Sequence, residues 1–240
     1  MWQATVFTIF PEAFPGNLGV SNIGKALKRG VWKLNIVDLK KFPIKSDRID
    51  SVPYGGGAGM LLSPLTFEKA YVTLPEEARH SRKIYLSPRG RRLRQCDFDE
   101  FSSSPGIVLL CGRYEGVDQR IISSYEFEEA SIGDFVLMGG EAAAMVVIEG
   151  CVRLLPGLVG EASSLDDDSF RNGLLEYDQY TRPREFRGLA VPEELVSGHH
   201  EKVKRFRLCQ SKKITMARRP DMWIQYVSSK LSEICYKKKR

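Results

Sequence analysis

Three glycine-punctuated stretches hold the residues best suited to chemistry. Cys111-Gly112-Arg113-Tyr114-Glu115-Gly116-Val117-Asp118 follows an apolar run over 107–111. Gly112 lets a ligand lie against bare backbone, and Arg113, Tyr114 and Glu115 offer a cation, an aromatic face and an acceptor. In open parallel sheets ligands bind beyond the carboxyl ends of strands, which is where this segment would lie. A tight turn closed by an internal Arg–Glu pair accounts for the same residues. The second stretch is Ser131-Ile132-Gly133-Asp134-Phe135-Val136-Leu137-Met138-Gly139-Gly140. Its backbone can read the edge of an adenine while Ile132 and Leu137 cover the ring faces, a few polar groups in an apolar slot. Strand-to-helix turns with two glycines are also common. The third, Tyr54-Gly55-Gly56-Gly57-Ala58-Gly59-Met60, places four glycines in five residues. That costs backbone entropy, so it signals close backbone approach or a moving loop, unless it is only a floppy surface turn.

Other chemistries find little support. Gly19-Val20-Ser21-Asn22-Ile23-Gly24-Lys25-Ala26 comes close to a phosphate-binding loop, but Ala26 lacks the hydroxyl that would hold Mg²⁺. No G-x-G-x-x-G occurs. The cysteines Cys96, Cys111, Cys151, Cys209 and Cys235 are odd in number, form no Cys-x-x-Cys, and have no histidine at ligand spacing. The expectation is neither a zinc site nor a disulfide framework, and a reducing, cytoplasmic setting.

Strand-like runs over 4–10, 34–39, 83–87, 107–111 and 135–138 alternate with helical ones over 23–30, 64–74, 94–101 and from Glu141 toward Leu155. The alternation predicts an α/β domain on a largely parallel sheet, with 107–111 as a central strand apolar on both faces. From Gly160 to Asp178 the chain turns acidic: Glu161, Asp166, Asp167, Asp168, Glu176 and Asp178 surround the single Arg171. This reads as an exposed linker. Beyond it, 199–212 and 220–236 read as helices, Pro220 suiting a first turn. The expected domains are 1–159 for a ligand-binding α/β unit, 160–176 for a flexible linker and 177–240 for a small helical unit.

The chain has 240 residues, 42% hydrophobic and 28% charged, ordinary for a globular protein. Its longest apolar run, Ala142 to Ile148, is far short of the ~20 residues of a membrane-spanning helix, so no membrane association is expected. Net charge is +6, unevenly spread: residues 1–200 carry 23 Lys and Arg against 27 Asp and Glu, residues 201–240 carry 13 against 3. A basic tail on a near-neutral body points to a polyanionic partner, or to no more than a solvated helix surface. Lys202, Lys204, Arg205, Arg207, Lys212, Lys213, Arg218 and Arg219 are the expected contacts, with Arg89, Arg91, Arg92 and Arg94 as a second cluster.

In order and spacing, Tyr85-Leu86-Ser87-Pro88, the Gly112 loop and the Ile132–Gly140 loop resemble the cofactor region of the TrmD family, the bacterial tRNA (guanine-N1)-methyltransferases of the SPOUT superfamily. The resemblance spans the chain. It runs from Phe10-Pro11-Glu12 and Pro53-Tyr54-Gly55-Gly56-Gly57 through Arg153, Pro156-Gly157, Asp168-Ser169-Phe170 and Tyr180-Thr181-Arg182-Pro183 to Arg218-Arg219-Pro220. Departures fall at Phe135 (usually tyrosine), Met138 (often serine), Ala142-Ala143 (often Leu-Pro) and His199 (usually asparagine).

The resemblance implies a trefoil-knotted SPOUT domain with a small helical C-terminal domain. It implies an obligate homodimer whose active site is built from both subunits, and a product methylated at N1 of guanine 37 of tRNA. S-adenosylmethionine would be bound by Tyr85, Leu86, Ser87, Pro88, Gly112, Tyr114, Glu115, Ile132, Gly133, Asp134, Phe135, Val136, Leu137, Gly139 and Gly140. Family members are reported to use Mg²⁺, for which the sequence shows no clear ligand set. The catalytic aspartate falls on Asp168 and the essential arginine on Arg153. Guanine N1 must lose a proton, which suits a carboxylate base, and the charge then growing on O6 suits a guanidinium. Without the resemblance Asp168 is one of three adjacent solvated acids, with Asp166 and Asp167 as rivals, and Arg153 a helix-end charge. A SPOUT enzyme acting on another RNA site, or a non-catalytic RNA-binding protein, are the alternatives. Retention of Gly112, Arg153 and Asp168 weighs against the second.

Overall fold

The computed structural model describes residues 1–44, 48–158 and 167–237, with side chains through Ser232. The chain divides into two compact units, Met1–Val159 and Gly160–Arg240.

The first unit is built on strands β1 (Trp2–Thr8), β2 (Trp32–Asp38), β5 (Arg82–Arg92), β6 (Gly106–Cys111) and β7 (Glu128–Ser131). They form one parallel sheet in the order β2-β1-β6-β5-β7. A two-residue pair, β3 (Asp50–Ser51) and β4 (Leu61–Leu62), lies apart from it. Helices α1 (Ser21–Lys28), α2 (Pro64–Tyr71), α3 (Glu76–Arg79), α4 (Gln95–Ser103), α5 (Gln119–Ser124) and α6 (Glu141–Val152) complete the unit. β6 is buried over its whole length, as its unbroken apolar sequence requires of a central parallel strand.

Alternation along the strands splits the core in two. Val6, Ile84, Ile107 and Leu109 pack with Trp2, Trp32, Phe101 and the Ala144, Val147, Ile148 and Cys151 face of α6. Phe7, Tyr85, Val108 and Leu110 pack on the other side with Phe67, Ile121 and Phe127.

Two expectations for this unit need correction. Residues 135–138 form an exposed loop, not a strand; the last strand of the five-stranded sheet is β7, seven residues earlier at its start. The sequence Phe-Val-Leu-Met has strand propensity, but β7 (Glu-Glu-Ala-Ser) takes the edge position because acids there meet arginines of β5. Arg82 and Arg91 both hold Glu128, at 2.6 and 2.8 Å. The strand expected over 83–87 continues to Arg92 around a bulge: Leu86 and Arg91 both pair with Ala130, so the intervening residues stand out of the sheet. Gly90 passes over the edge there; a Cβ on it would sit 2.3 Å from the Ala130 nitrogen. Gly24 has a similar role. A Cβ on it would come 2.1 Å from the Gly19 carbonyl oxygen, so the apparent phosphate-loop glycine is a packing glycine.

In the second unit, α8 (His200–Arg218) and α9 (Pro220–Lys237) follow a hairpin, β8 (Glu185–Phe186) with β9 (Leu189–Ala190), and a short α7 (Glu193–Val196). The hairpin turns through Arg187 and Gly188, both at positive φ (53° and 77°), as two-residue turns prefer. Residues 167–176, assigned by sequence to the linker, are packed. Leu174 is buried, the Leu175 N–H donates to Thr215 Oγ1 on α8 (2.8 Å), and the Glu176 N–H donates to Ser169 Oγ (3.0 Å). The preceding part of that segment, with Glu161 and Asp166, lies outside the described residues.

Candidate active site

The bulge of β5 and the loops that follow β6 and β7 line a cavity of about 460 Å³. Among the cofactor residues read from the sequence, Tyr85, Leu86, Ser87, Pro88, Gly112, Tyr114, Glu115, Ile132, Gly133, Phe135, Val136, Leu137, Gly139 and Gly140 all line it. Asp134 does not. Its exposed carboxylate pairs with Arg92 instead (3.2 Å). Leu61, Arg89, Gln119, Ala130 and Ala143 line the cavity although nothing in the sequence singled them out for it. Gln119, in the first turn of α5, was legible only once that helix was placed.

Glycine lets these loops close on one another. The Gly140 N–H donates to the Gly112 carbonyl (3.0 Å), and a Cβ on Gly140 would meet Cys111 Cα at 2.8 Å. A Cβ on Gly112 would lie 2.9 Å from the Tyr85 hydroxyl, and one on Gly139 2.2 Å from Arg113 Nε. Tyr114 holds a left-handed backbone (φ 56°) at the rim. Burial, with the nearby Glu129 charge, raises the Tyr85 pKa, so its phenol stays protonated at neutral pH.

The glycine-rich stretch also belongs here. Gly55, Gly56, Gly57 and Gly59 all have positive φ, between 78° and 123°. The Cβ position of Gly59 lies 2.4 Å from Glu115 Cγ, and the Glu115 N–H donates to the Met60 carbonyl (3.2 Å). The Leu62 N–H donates to the Gly116 carbonyl and the Asp118 N–H to that of Leu62. The stretch is therefore stitched beside the Gly112 loop, with Tyr54 wholly exposed at its tip.

A small ligand with an adenine ring and charged ends fits this cavity in size and lining: it lies within the ~300–1,000 Å³ range of small-molecule sites. The lining combines the exposed apolar residues Phe135–Met138 with polar Ser87, Glu115 and Gln119. For a metal there is no such fit. Among the described residues no group of three or more His, Cys, Asp or Glu side chains could hold one, so Mg²⁺ has no visible ligand set. No described helix is long and apolar enough to cross a membrane.

Arg153 caps the carboxyl end of α6, exposed, its N–H donating to the Glu149 carbonyl (2.9 Å). Asp168 stands in the second unit, half-buried. It lines another cavity, about 350 Å³, with Asn172, Tyr177, Lys204, Arg207 and Ser211. Its neighbour Asp167 accepts from the Tyr177 hydroxyl (3.1 Å), and the Arg207 guanidinium lies over the Tyr177 ring at 4.8 Å. Asp166 lies outside the described residues.

The two basic clusters differ. Arg89 pairs with Glu129 (3.2 Å), Arg91 with Asp97 and Glu128 (both 2.8 Å), and Arg92 with Asp134. Three of the four arginines of that cluster thus face acids in space. On α8, Lys202, Lys204, Arg205, Lys213 and Arg218 are exposed along a helix that buries only Ser211 and Thr215. Arg219 is held by Asp221 (2.6 Å), whose carboxyl this pairing brings down to about 2.

Comparison with known proteins agrees with this arrangement. Residues 2–225 match the family described as tRNA (Guanine-1)-methyltransferase TrmD. A tRNA (guanine-N(1)-)-methyltransferase of Rhodospirillum rubrum is 50% identical over 232 residues, covering 96% of both chains. One from Ruegeria pomeroyi is 47% identical over the same length and share, and one from Rhodopseudomonas palustris is 49% identical over 223 residues, 92% of this chain and 90% of its own. The chain belongs to the TrmD family of tRNA (guanine-1)-methyltransferases.

Proposed function

We propose that this protein transfers a methyl group from S-adenosylmethionine to N1 of guanine 37 in tRNA, beside the anticodon. Methylation of guanine N1 in tRNA follows from membership of the family. The observation that carries the fuller reading is the cavity at the β5 bulge and the loops that follow β6 and β7, lined by all but one of the residues the family uses for its donor. When bound there, S-adenosylmethionine supplies a methyl already activated on a sulfonium, so the protein's own work lies with the acceptor.

Ile132 and Leu137 cover the adenine faces, and the backbone around Gly133 and Gly139 reads its edge. Tyr114 and Glu115 stand at the rim. Asp168 accepts the N1 proton of the guanine, and Arg153 donates hydrogen bonds to O6 as charge grows there. Exposed lysines and arginines of α8 bind tRNA phosphates, which makes affinity fall as salt rises. The target base leaves its stack to reach the methyl group.

The parallel α/β unit is the SPOUT domain, and its knot, the homodimer, the shared active site and a cytoplasmic location are part of the same proposal. Geometry supports the shared site. The donor cavity is lined by Gly140 and Ala143 at the start of α6, whereas Arg153 caps its far end. Ten residues of helix put about 15 Å between Ala143 and Arg153.

The test is transfer of labelled methyl from S-adenosylmethionine to tRNA transcripts carrying guanine or adenine at position 37, with an Asp168→Ala chain alongside. Labelling of the guanine transcript alone, largely lost in the variant, is expected. Equal labelling of both transcripts would favour another RNA site. No labelling of either would leave an RNA-binding protein.

A further inference from the structure

Beneath the donor cavity lies a charge pair that the reaction itself does not use. Glu141, first residue of α6, has a carboxylate only 4% exposed. Its Oε2 accepts from Arg113 Nε at 2.8 Å and its Oε1 from the Thr8 hydroxyl at 2.7 Å. Thr8, fully buried at the end of β1, accepts in turn from the Phe10 N–H (2.9 Å). The Arg113 guanidinium lies over the Phe10 ring, 4.4 Å from its centroid, and its Nη1 reaches the Met138 carbonyl (3.4 Å). One carboxylate thus ties together the end of β1, the loop after β6 and the start of α6.

Two of those three carry cavity walls. Arg113 forms a backbone bridge with Gly139, and its carbonyl accepts from the Gly116 N–H (2.9 Å), closing the turn that holds Tyr114 at positive φ with Glu115 beside it. The side chain of Arg113 fills the space that any side chain on Gly139 would need. A buried ion pair is a poor way to gain stability alone, since well-packed apolar residues of similar volume commonly do as well. What it adds is direction: the Arg113 side chain, bonded to Glu141 and to the Met138 carbonyl, reinforces the backbone ties of these two loops and fixes their distance.

We propose that Arg113, held by Glu141, is a positioning residue for the methyl donor: it sets the gap between the Gly112 loop and the Leu137–Gly139 wall into which the donor fits. This rests on the reading of the cavity as the donor site.

The test uses the full chain and calorimetric binding of S-adenosylmethionine, with thermal unfolding of the free protein beside it. Glu141→Gln and Arg113→Lys should each raise the donor Kd about tenfold, equivalent to about 1.4 kcal/mol. The donor KM should rise by the same factor while the KM for tRNA stays put. A chain with Arg113→Met and Glu141→Leu together guards against simple loss of folding. Its charges leave as a pair, so it should stay folded with a midpoint lowered by several degrees at most, through the lost acceptor of the buried Thr8 hydroxyl, yet bind the donor as poorly as the single variants. Wild-type donor affinity in the double variant, or in both single variants, overturns the proposal. Wild-type protein that binds no S-adenosylmethionine overturns the underlying reading instead, and the two failures are distinguished by that control.

Discussion

Gly140→Ala is the sharpest perturbation the fold allows. Gly140 sits at φ −79°, ψ −11°, which alanine adopts without strain, so the added methyl acts only through space. That space is taken by backbone: Cys111 Cα at 2.8 Å and the Gly112 nitrogen at 3.2 Å, with Cys111 Cβ at 3.1 Å. Ordinary contact begins near 3.4 Å, so the β6 end and the start of α6 must part by about 0.6 Å. Neither can swing away as a long side chain would, and the 3.0 Å hydrogen bond from Gly140 to the Gly112 carbonyl lies across the same gap. Overpacking of this kind costs about 1–3 kcal/mol. At about 2–4 °C per kcal/mol for a unit of this size, the midpoint should fall by several degrees. The opening runs between two cavity walls, so donor affinity falls as well. Gly30→Ala is the control. Its φ of +71° strains an alanine by about 1 kcal/mol, but nothing lies within 4 Å and the donor cavity does not include it. It should lose stability and keep donor affinity. Calorimetry and thermal scans on both variants decide the matter. If Gly140→Ala binds S-adenosylmethionine like the wild type with an unchanged midpoint, the close approach of these loops is not what shapes the site.

Three further outcomes follow from the packing. Native thiol labelling mapped by peptide mass should modify the exposed Cys96 and Cys209 and spare Cys111 and Cys151, since burial pushes the Cys151 thiol up to about 12 and that of Cys111 up as well. Phe67→Ala should cost about 3–5 kcal/mol, because Phe67 is fully buried with ring contacts at 5.0 Å to both Phe7 and Tyr125; an unfolding midpoint within a degree or two of wild type would contradict it. Burial would raise the pKa of Glu128, but hydrogen bonds from Arg82 and Arg91 outweigh it and hold the carboxyl below its usual 4.5. Its stabilisation is thus present above that value and lost as pH falls through the lowered one, so the midpoint gap between wild type and Glu128→Gln should shrink on acidification.

Much of the first unit was legible because its strands are strongly apolar and its turns are marked by glycine. The run 107–111 could only be a central strand, and the loops after it and around 131–140 announced themselves as places where backbone meets backbone. β7 escaped notice because its stability comes from arginines far away in sequence on β5, not from its own residues. The same long-range pairing was invisible for Arg89, Arg91 and Arg92, which meet Glu128, Glu129, Asp97 and Asp134 in space. Composition counts charges along the chain, while a nucleic acid meets them in space. The α8 cluster escapes that correction because a helix with one packed side leaves the rest of its surface outward. Asp168 was singled out only through the family resemblance, since nothing in the sequence distinguishes one of three adjacent aspartates, and Asp167 and Asp168 both line the cavity that holds Lys204 and Arg207.

The length of α6 makes the proposed division of the active site testable. Gly140 and Ala143 line the donor cavity, Arg153 lies ten residues beyond Ala143, and an arginine side chain covers only a fraction of that ~15 Å. On the proposed reading, a guanine at one chain's cavity is met by the Arg153 of a second copy rather than by that chain's own. In a two-fold dimer the exchange is reciprocal. A chain disabled in the donor cavity by Gly140→Ala still offers its Arg153, and a chain with Arg153→Ala still offers its cavity. Each alone should be nearly inactive. Co-expressed, half of the dimers pair one of each and hold one intact site of two, so about a quarter of wild-type activity should return. If each chain completed its own site, no combination would contain an intact one, and the mixture would be as inactive as its parts.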